Sequence, residues 1–402
     1  MSGPSARRAI VLVMDGCGAG ALPDAARYGD EGASTLAHVA ERVGGLKLPA
    51  LTALGLGSIL PLRGVPPAAD PAIYGRLHRL GPGKDSATGH WELMGVVPAR
   101  ALPTYPQGFP ARVTERLAAA LGRELICNRA YNGLAAIEDF GAEHLRTGAL
   151  ILYTSQDSVL QLAAHEQQMT ADELYRACAA ARAVMSGEDA VARVIARPFA
   201  GPEGAFRRSD GRRDFTLPPP ARSYLQELRQ AQVQVHAVGK VRDLFAGVGI
   251  TRSHPGSSNA QALRSVDAVL ERLRRGLVFV NLIETDERYG HRKDVHGFAE
   301  ALRELDADLT RRLRRLGPQD LLILTADHGV DPDHPGTDHT REYAPLLAVT
   351  GTMLRGGWTG APSSGGRRCR PHDGPLADVG ATVLKWLAGR EAEALPGAPF
   401  IS

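Results

Sequence analysis

The chain has 402 residues, too many for one ordinary hydrophobic core, so two domains or one domain with a large insertion are expected. Apolar residues make up 44%, which excludes wholesale disorder, and a net charge of +3 without a basic stripe interleaved with aromatics excludes a nucleic-acid binder. The four cysteines, Cys17, Cys127, Cys178 and Cys369, are scattered without a CxxC pair, which argues against a disulfide framework or a zinc ribbon.

The first predicted element is the run Ala9–Met14 (AIVLVM). It is too short for a secretory core or a membrane span, so the cytoplasm is the expected location. It reads instead as a buried parallel strand, followed at once by Asp15. Next, Gly81–Glu92 (GPGKDSATGHWE) places the hydroxyls of Ser86 and Thr88 after a glycine-rich turn. A helix beginning there would offer free backbone amides to a phosphate. The plainer role for Ser86 is that of a helix cap.

From Pro98 to Pro220 the character changes. Prolines gather at both ends (Pro98, Pro103, Pro106 and Pro110; then LPPP at Leu217–Pro220), with helical patterns and a strand-like Leu150–Thr154 between them. Such edges suggest hinge linkers around an inserted domain. The expected division is a core over 1–98 and 217–402 with an inserted α+β domain over 99–216. Two further buried strands follow, Leu277–Ile283 (LVFVNLI) and Leu321–Thr325 (LLILT). Between them Phe298, Leu302, Leu305, Leu309 and Leu313 recur at helical spacing, predicting a helix over Gly297–Leu316. The expected fold is an α/β sheet flanked by helices, with ligands beyond the carboxyl ends of the strands. The glycine- and arginine-rich stretch Arg355–Arg370 reads as a surface loop.

Acidic and imidazole side chains cluster directly after the three strands: Asp15 after the first, Asp286 and His291 after the second, and Asp327, His328 and then His339 after the third. A lone aspartate at a strand end is usually a turn residue. The joint pattern is different, because mixed carboxylate and imidazole sets suit divalent ions such as manganese or zinc. Two such ions can clamp the attacking and leaving oxygens of a phosphoryl transfer.

The strings MDGCGAG, GKDSATGHWELMG, YTSQDSVLQLAAHE, RVIARPF, YGHRKD, TADHG and HPGTDHTREYAPLL resemble, in order, the signature blocks of the phosphopentomutases of the alkaline phosphatase superfamily. TADHG marks the wider superfamily, whereas GKDSATGHWE and GTDHTREYAPLL are specific to the pentomutases. The resemblance implies an alkaline-phosphatase-like core carrying an inserted cap that moves. It implies that Asp15, Asp327 and His328 bind one metal and Asp286, His291 and His339 the other. Ser86 would carry the transferred phosphate, with Thr88 as the alternative. Contacts to the sugar phosphate would come from Ser155, Asp157, Arg193, Ile195, Arg208 and Lys240.

The implied cofactors are two divalent ions, most typically Mn2+, and a sugar bisphosphate primer. The implied partner is a small sugar phosphate, with no nucleic acid, membrane or obligate protein partner. The reaction would interconvert ribose or deoxyribose 1-phosphate and 5-phosphate through a phosphoenzyme and a bisphosphate. A mutase for another sugar phosphate and a phosphate monoester hydrolase with the same metals are the alternatives. Three departures from the family pattern stand out: Ser86 where the family has threonine, the loop Arg129–Leu134 (RAYNGL), and Ile283-Glu284-Thr285 immediately before Asp286.

Overall fold

The computed structural model describes residues 6–70, 72–155, 158–354 and 371–401. The chain forms two compact units. One runs up to Arg100 and resumes at Pro219; the other is Ala101–Pro218.

The first unit is built on an eight-stranded sheet. From one edge to the other the strands are Arg252–His254, Gln234–Val238, Gly276–Leu282, Arg8–Met14, Asp320–Thr325, Ala344–Thr350, Ile73–His78 and Gly374–Pro375. The five from Arg252–His254 to Asp320–Thr325 are mutually parallel, and Ala344–Thr350 runs against both of its neighbours. The three central strands are the three apolar runs of the sequence. Each begins one residue earlier than its run, and the second also ends one residue earlier, at Leu282. Their continuous hydrophobicity reflects burial on both faces. Because they are parallel and in register, Met14 beside Leu282 and Val13 beside Thr325, their carboxyl ends open on one edge of the sheet. The predicted long helix spans Val295–Leu313, and Asp294 accepts a hydrogen bond from Gly297 N at its start. Its apolar stripe, Phe298, Leu302, Leu305, Leu309 and Leu313, is buried.

The second unit has a six-stranded sheet. Leu125–Ala130, Leu150–Thr154, Val159–His165, Arg193–Ala200 and Arg207–Arg208 follow in order, and Arg213–Thr216 also pairs with Arg193–Ala200. Alternation along Leu150–Thr154 feeds two cores. Leu150 and Leu152 pack with Val113, Leu117, Leu174 and Cys178. Ile151 and Tyr153 point the other way, into Ala136, Ile137, Ala163 and Phe199. Helices Ala111–Leu121 and Ala171–Val184 contribute to the first cluster, and Gly133–Thr147 to the second. Cys17, Cys127 and Cys178 are free thiols. Cys369 and the stretch 355–370 lie outside the described residues.

Candidate metal centre and nucleophile

The six predicted metal-binding side chains converge beyond the carboxyl ends of the three central strands. On one side Asp15, Asp327 and His328 come together. His328 Nε2 lies 3.3 Å from Asp15 Oδ1 and 3.2 Å from Asp327 Oδ2. On the other, Asp286 Oδ1 is 3.3 Å from His291 Nε2 and 3.4 Å from His339 Nε2, and the two imidazole nitrogens are 3.1 Å apart. The His328 and His339 rings stack at 3.9 Å and join the two sets.

The donor set fits divalent cations. Asp15 Oδ1, Asp286 Oδ1 and Asp327 Oδ2 are buried and accept no hydrogen bond of good geometry from the described residues. Each points at imidazole nitrogens that are themselves potential ligands. Burial opposes charging His328, but Asp327, Asp15 and Asp286 outweigh it and push its pKa up to about 10. Burial, then Asp327 and Asp286, raise Asp15. Burial acts in the same direction on Asp286, yet His339 and His291 hold it well below the usual carboxylate range.

The hydroxyl sits at the same place. Ser86 opens the helix Ser86–Leu93, and its Oγ is 2.7 Å from His328 Nε2. Two features seat that helix. Gly89 lies directly on Asp327, where an added Cβ would come within 2.9 Å of the aspartate Cβ, so only glycine permits the approach. Asp85 caps the helix by accepting from Thr88 N at 3.0 Å. Thr88 is fully buried, and its hydroxyl is spoken for by Asp85 Oδ2 at 2.6 Å and by the Arg79 guanidinium.

Several supporting residues escaped the sequence reading. His90, one turn after Ser86, contacts the Ser86 carbonyl at 2.9 Å and Asp327 Oδ2 at 3.1 Å through Nδ1. Asn281 donates to Asp15 Oδ2 at 2.9 Å. Its signal was a single amide in an otherwise apolar strand. Thr285, one of the departures before Asp286, donates to the Asp15 carbonyl at 2.6 Å. Its neighbour Glu284 accepts from Asn259 N at 2.8 Å and from Arg288 at 2.9 Å, so it faces away from the ligand set. Arg341 ties the glycine-rich loop before Ser86 to the segment after His339. It donates to the carbonyls of Gly81 and Gly83 while its other nitrogens hold Asp24.

Arg79 lies beneath this loop. It is nearly inaccessible and pairs with the equally buried Glu92 at 3.0 Å. Removing one member of a buried pair strands the other charge. Arg79→Met should cost about 3 kcal/mol or more of unfolding free energy. It should also lower activity by loosening the Ser86 helix. Urea denaturation and turnover on the same preparation check both, and wild-type stability would refute the role.

Lys240 stands at the rim, 2.7 Å from Glu287. Both line a cleft of about 630 Å³ with Ser257, Ser258, Arg288 and Arg292. The remaining predicted substrate contacts belong to the second unit. Ser155 follows the Leu150–Thr154 strand. Arg193 lies 3.6 Å from Asp214. Ile195 is buried in its sheet, and Arg208 is exposed on a two-residue strand. Asp157 lies outside the described residues.

A sheet whose strand ends deliver two carboxylate–imidazole sets to one hydroxyl defines a class, the metalloenzyme superfamily, and the model of that superfamily matches residues 7–389. The chain is 46% identical over 380 residues to the phosphopentomutase of Caldanaerobacter subterraneus subsp. tengcongensis, covering 94% of each chain. It is 48% identical over 350 residues to that of Dictyoglomus turgidum, covering 87% of this chain and 89% of the relative. It is 46% identical over 386 residues to that of Anaeromyxobacter dehalogenans strain 2CP-1, covering 96% of both. The chain belongs to the phosphopentomutase family and is an isomerase of the phosphotransferase (phosphomutase) class. No helix among the described residues is long and apolar enough to cross a membrane.

Proposed function

We propose that this enzyme interconverts the 1- and 5-phosphates of ribose and deoxyribose through a phosphorylated Ser86 and a pentose bisphosphate. The observation that carries the reading is the 2.7 Å approach of Ser86 Oγ to His328 Nε2, between the two ligand sets. Asp15, Asp327 and His328 would hold one divalent ion and Asp286, His291 and His339 the other, with Mn2+ the expected metal. Bound there, the ions supply Lewis-acid charge to the phosphoryl oxygens and lower the pKa of the hydroxyl.

The chain's own groups do the rest. A sugar bisphosphate primes Ser86. The phosphoryl group then leaves Ser86 Oγ for the free hydroxyl of the pentose phosphate: the P–Oγ bond breaks and a P–O bond to the sugar forms. The bisphosphate turns, and its other phosphoryl group returns to Ser86 Oγ. Ser86 is the first residue of its helix, and the positive end of the helix dipole favours negative charge that develops there. Ser155, Asp157, Arg193, Ile195, Arg208 and Lys240 are assigned to the sugar and its non-reacting phosphate. Guanidinium forks suit phosphate oxygens, and Lys240 adds a compact charge. The inserted unit, 99–216, serves as the cap, and the cytoplasm is the assigned compartment.

Mass spectrometry of protein treated with the bisphosphate primer tests the nucleophile. Phosphate on Ser86 is the expected result. Phosphate on Thr88, with Ser86→Ala fully active, would overturn it.

A further inference from the structure

One corner of the inserted unit holds groups that its fold leaves unsatisfied. Tyr153 is 1% exposed, with its ring in the core beside Ile137 and Phe199. Its hydroxyl is buried beside the Arg208 guanidinium and finds no acceptor among the described residues. An unpaired buried hydroxyl costs free energy, and native folds keep few of them.

The hydroxyl faces the start of the fifteen-residue helix Gly133–Thr147. A Cβ built on Gly133 would collide with the Arg208 guanidinium and lie 2.7 Å from Tyr153 Oη. Gly133 Cα, the phenol and the guanidinium therefore share one small space. Asn132 caps the helix through Leu134 N and Ala135 N, which leaves the first helical amide, Gly133 N–H, outside the cap. Tyr131 N–H donates to the Thr154 carbonyl at 3.1 Å and so fastens this turn to the strand end that precedes Ser155.

The charge in this corner is positive and only partly neutralised. Burial raises the phenol's pKa, and the nearby Arg197, Arg208 and Arg212 oppose that rise. Arg212 is held by Asp214 through two bonds of 2.9 Å. Arg197 has the neutral Gln161 at 3.0 Å, and Arg208 has no carboxylate partner among the described residues. A helix N-terminus, a buried phenol without an acceptor and two guanidiniums that form no ion pair among the described residues are complementary to one kind of group, a compact polyanion with several acceptor oxygens.

We infer that Tyr153 Oη, the Gly133 amide and Arg197 join Arg208 in a binding site for a phosphate monoester dianion. This rests on the reading that Arg208 contacts the sugar phosphate, and it makes the departing loop Arg129–Leu134 one wall of that contact. The glycine at 133 is required because a methyl group would occupy the space of a phosphate oxygen as well as that of Arg208. The phenol contributes a hydrogen-bond donor to an acceptor oxygen of the anion.

The test uses the full-length, metal-loaded enzyme and three variants, Tyr153→Phe, Gly133→Ala and Arg208→Ala. Steady-state kinetics with pentose 5-phosphate, inhibition by inorganic phosphate and melting temperature are read for each. Loss of one charge-assisted hydrogen bond should raise KM for the pentose phosphate about 10-fold in Tyr153→Phe, with kcat changed less than about twofold. Gly133→Ala should raise it at least as much. Tyr153→Phe should melt no lower than wild type, because it deletes an unpaired buried hydroxyl; a purely structural tyrosine would leave KM unmoved.

If Arg208→Ala raises KM while Tyr153→Phe and Gly133→Ala do not, the inference falls and the reading of Arg208 stands. If Arg208→Ala also leaves KM unchanged, the reading beneath it fails as well. If the variants weaken inhibition by inorganic phosphate but not KM, the corner takes free phosphate and the assignment to substrate is overturned.

Discussion

Ser86→Ala should abolish mutase activity, with a loss on the order of 10⁶-fold, the scale seen when a covalent nucleophile is removed. The expectation follows from position. Ser86 is the first residue of its helix, is partly accessible, and its Oγ is the hydroxyl in contact with His328. Thr88 cannot readily substitute, because it is fully buried and its oxygen is engaged by Asp85 and Arg79. Ser86→Thr should keep appreciable turnover, since the attacking atom is unchanged and only a methyl group is added. The measurement is turnover with pentose 1-phosphate and 5-phosphate, with protein-bound phosphate counted in parallel. Wild-type turnover by Ser86→Ala would end the phosphoenzyme scheme.

Asp327→Ala should have a comparably large effect by another route. Asp327 Oδ2 is 3.2 Å from His328 and 3.1 Å from His90, and Oδ1 accepts from Gly16 N at 3.3 Å. Removing the carboxylate deletes a proposed ligand and also the acid between two buried imidazoles. Metal content should fall from two ions per chain toward one, and activity should fall with it by about 10³-fold or more. Elemental analysis, melting temperature and turnover on one preparation separate this from misfolding. A folded variant that retains both ions and full turnover would refute the two-ion site.

Much of this was legible because the central strands are parallel and buried on both faces. Such strands are written as unbroken apolar runs, and Ala9–Met14 and Leu321–Thr325 differ from the observed strands by a single residue. The ligands were legible because they follow those runs immediately. The outer strands were not read. Ile73–His78 is half-buried and mixes glycine, arginine and histidine, and Gln234–Val238 carries His236 in its centre. His90 and Asn281 stayed hidden for a different reason. Each contacts an aspartate more than two hundred residues away in sequence, so no local pattern expresses the pairing. Tyr153 lay unremarked within the strand-like run Leu150–Thr154, because an unpaired hydroxyl is a property of packing.

The strand carrying Asp15 lies between Gly276–Leu282 and Asp320–Thr325, and both are made long after it. Asp15 and Asn281, joined by a hydrogen bond, are 266 residues apart. At roughly 5–20 residues per second of synthesis, the first strand waits on the order of 13–53 s on the ribosome for its first neighbour. For that time an unbroken apolar segment has no sheet to join, whereas the inserted unit, contiguous in sequence, is complete before the first neighbour of that strand is made. The N-terminal strand is therefore the segment through which a nascent chain would aggregate or engage a chaperone. Slowed translation after the insertion should reduce soluble yield without altering the finished enzyme.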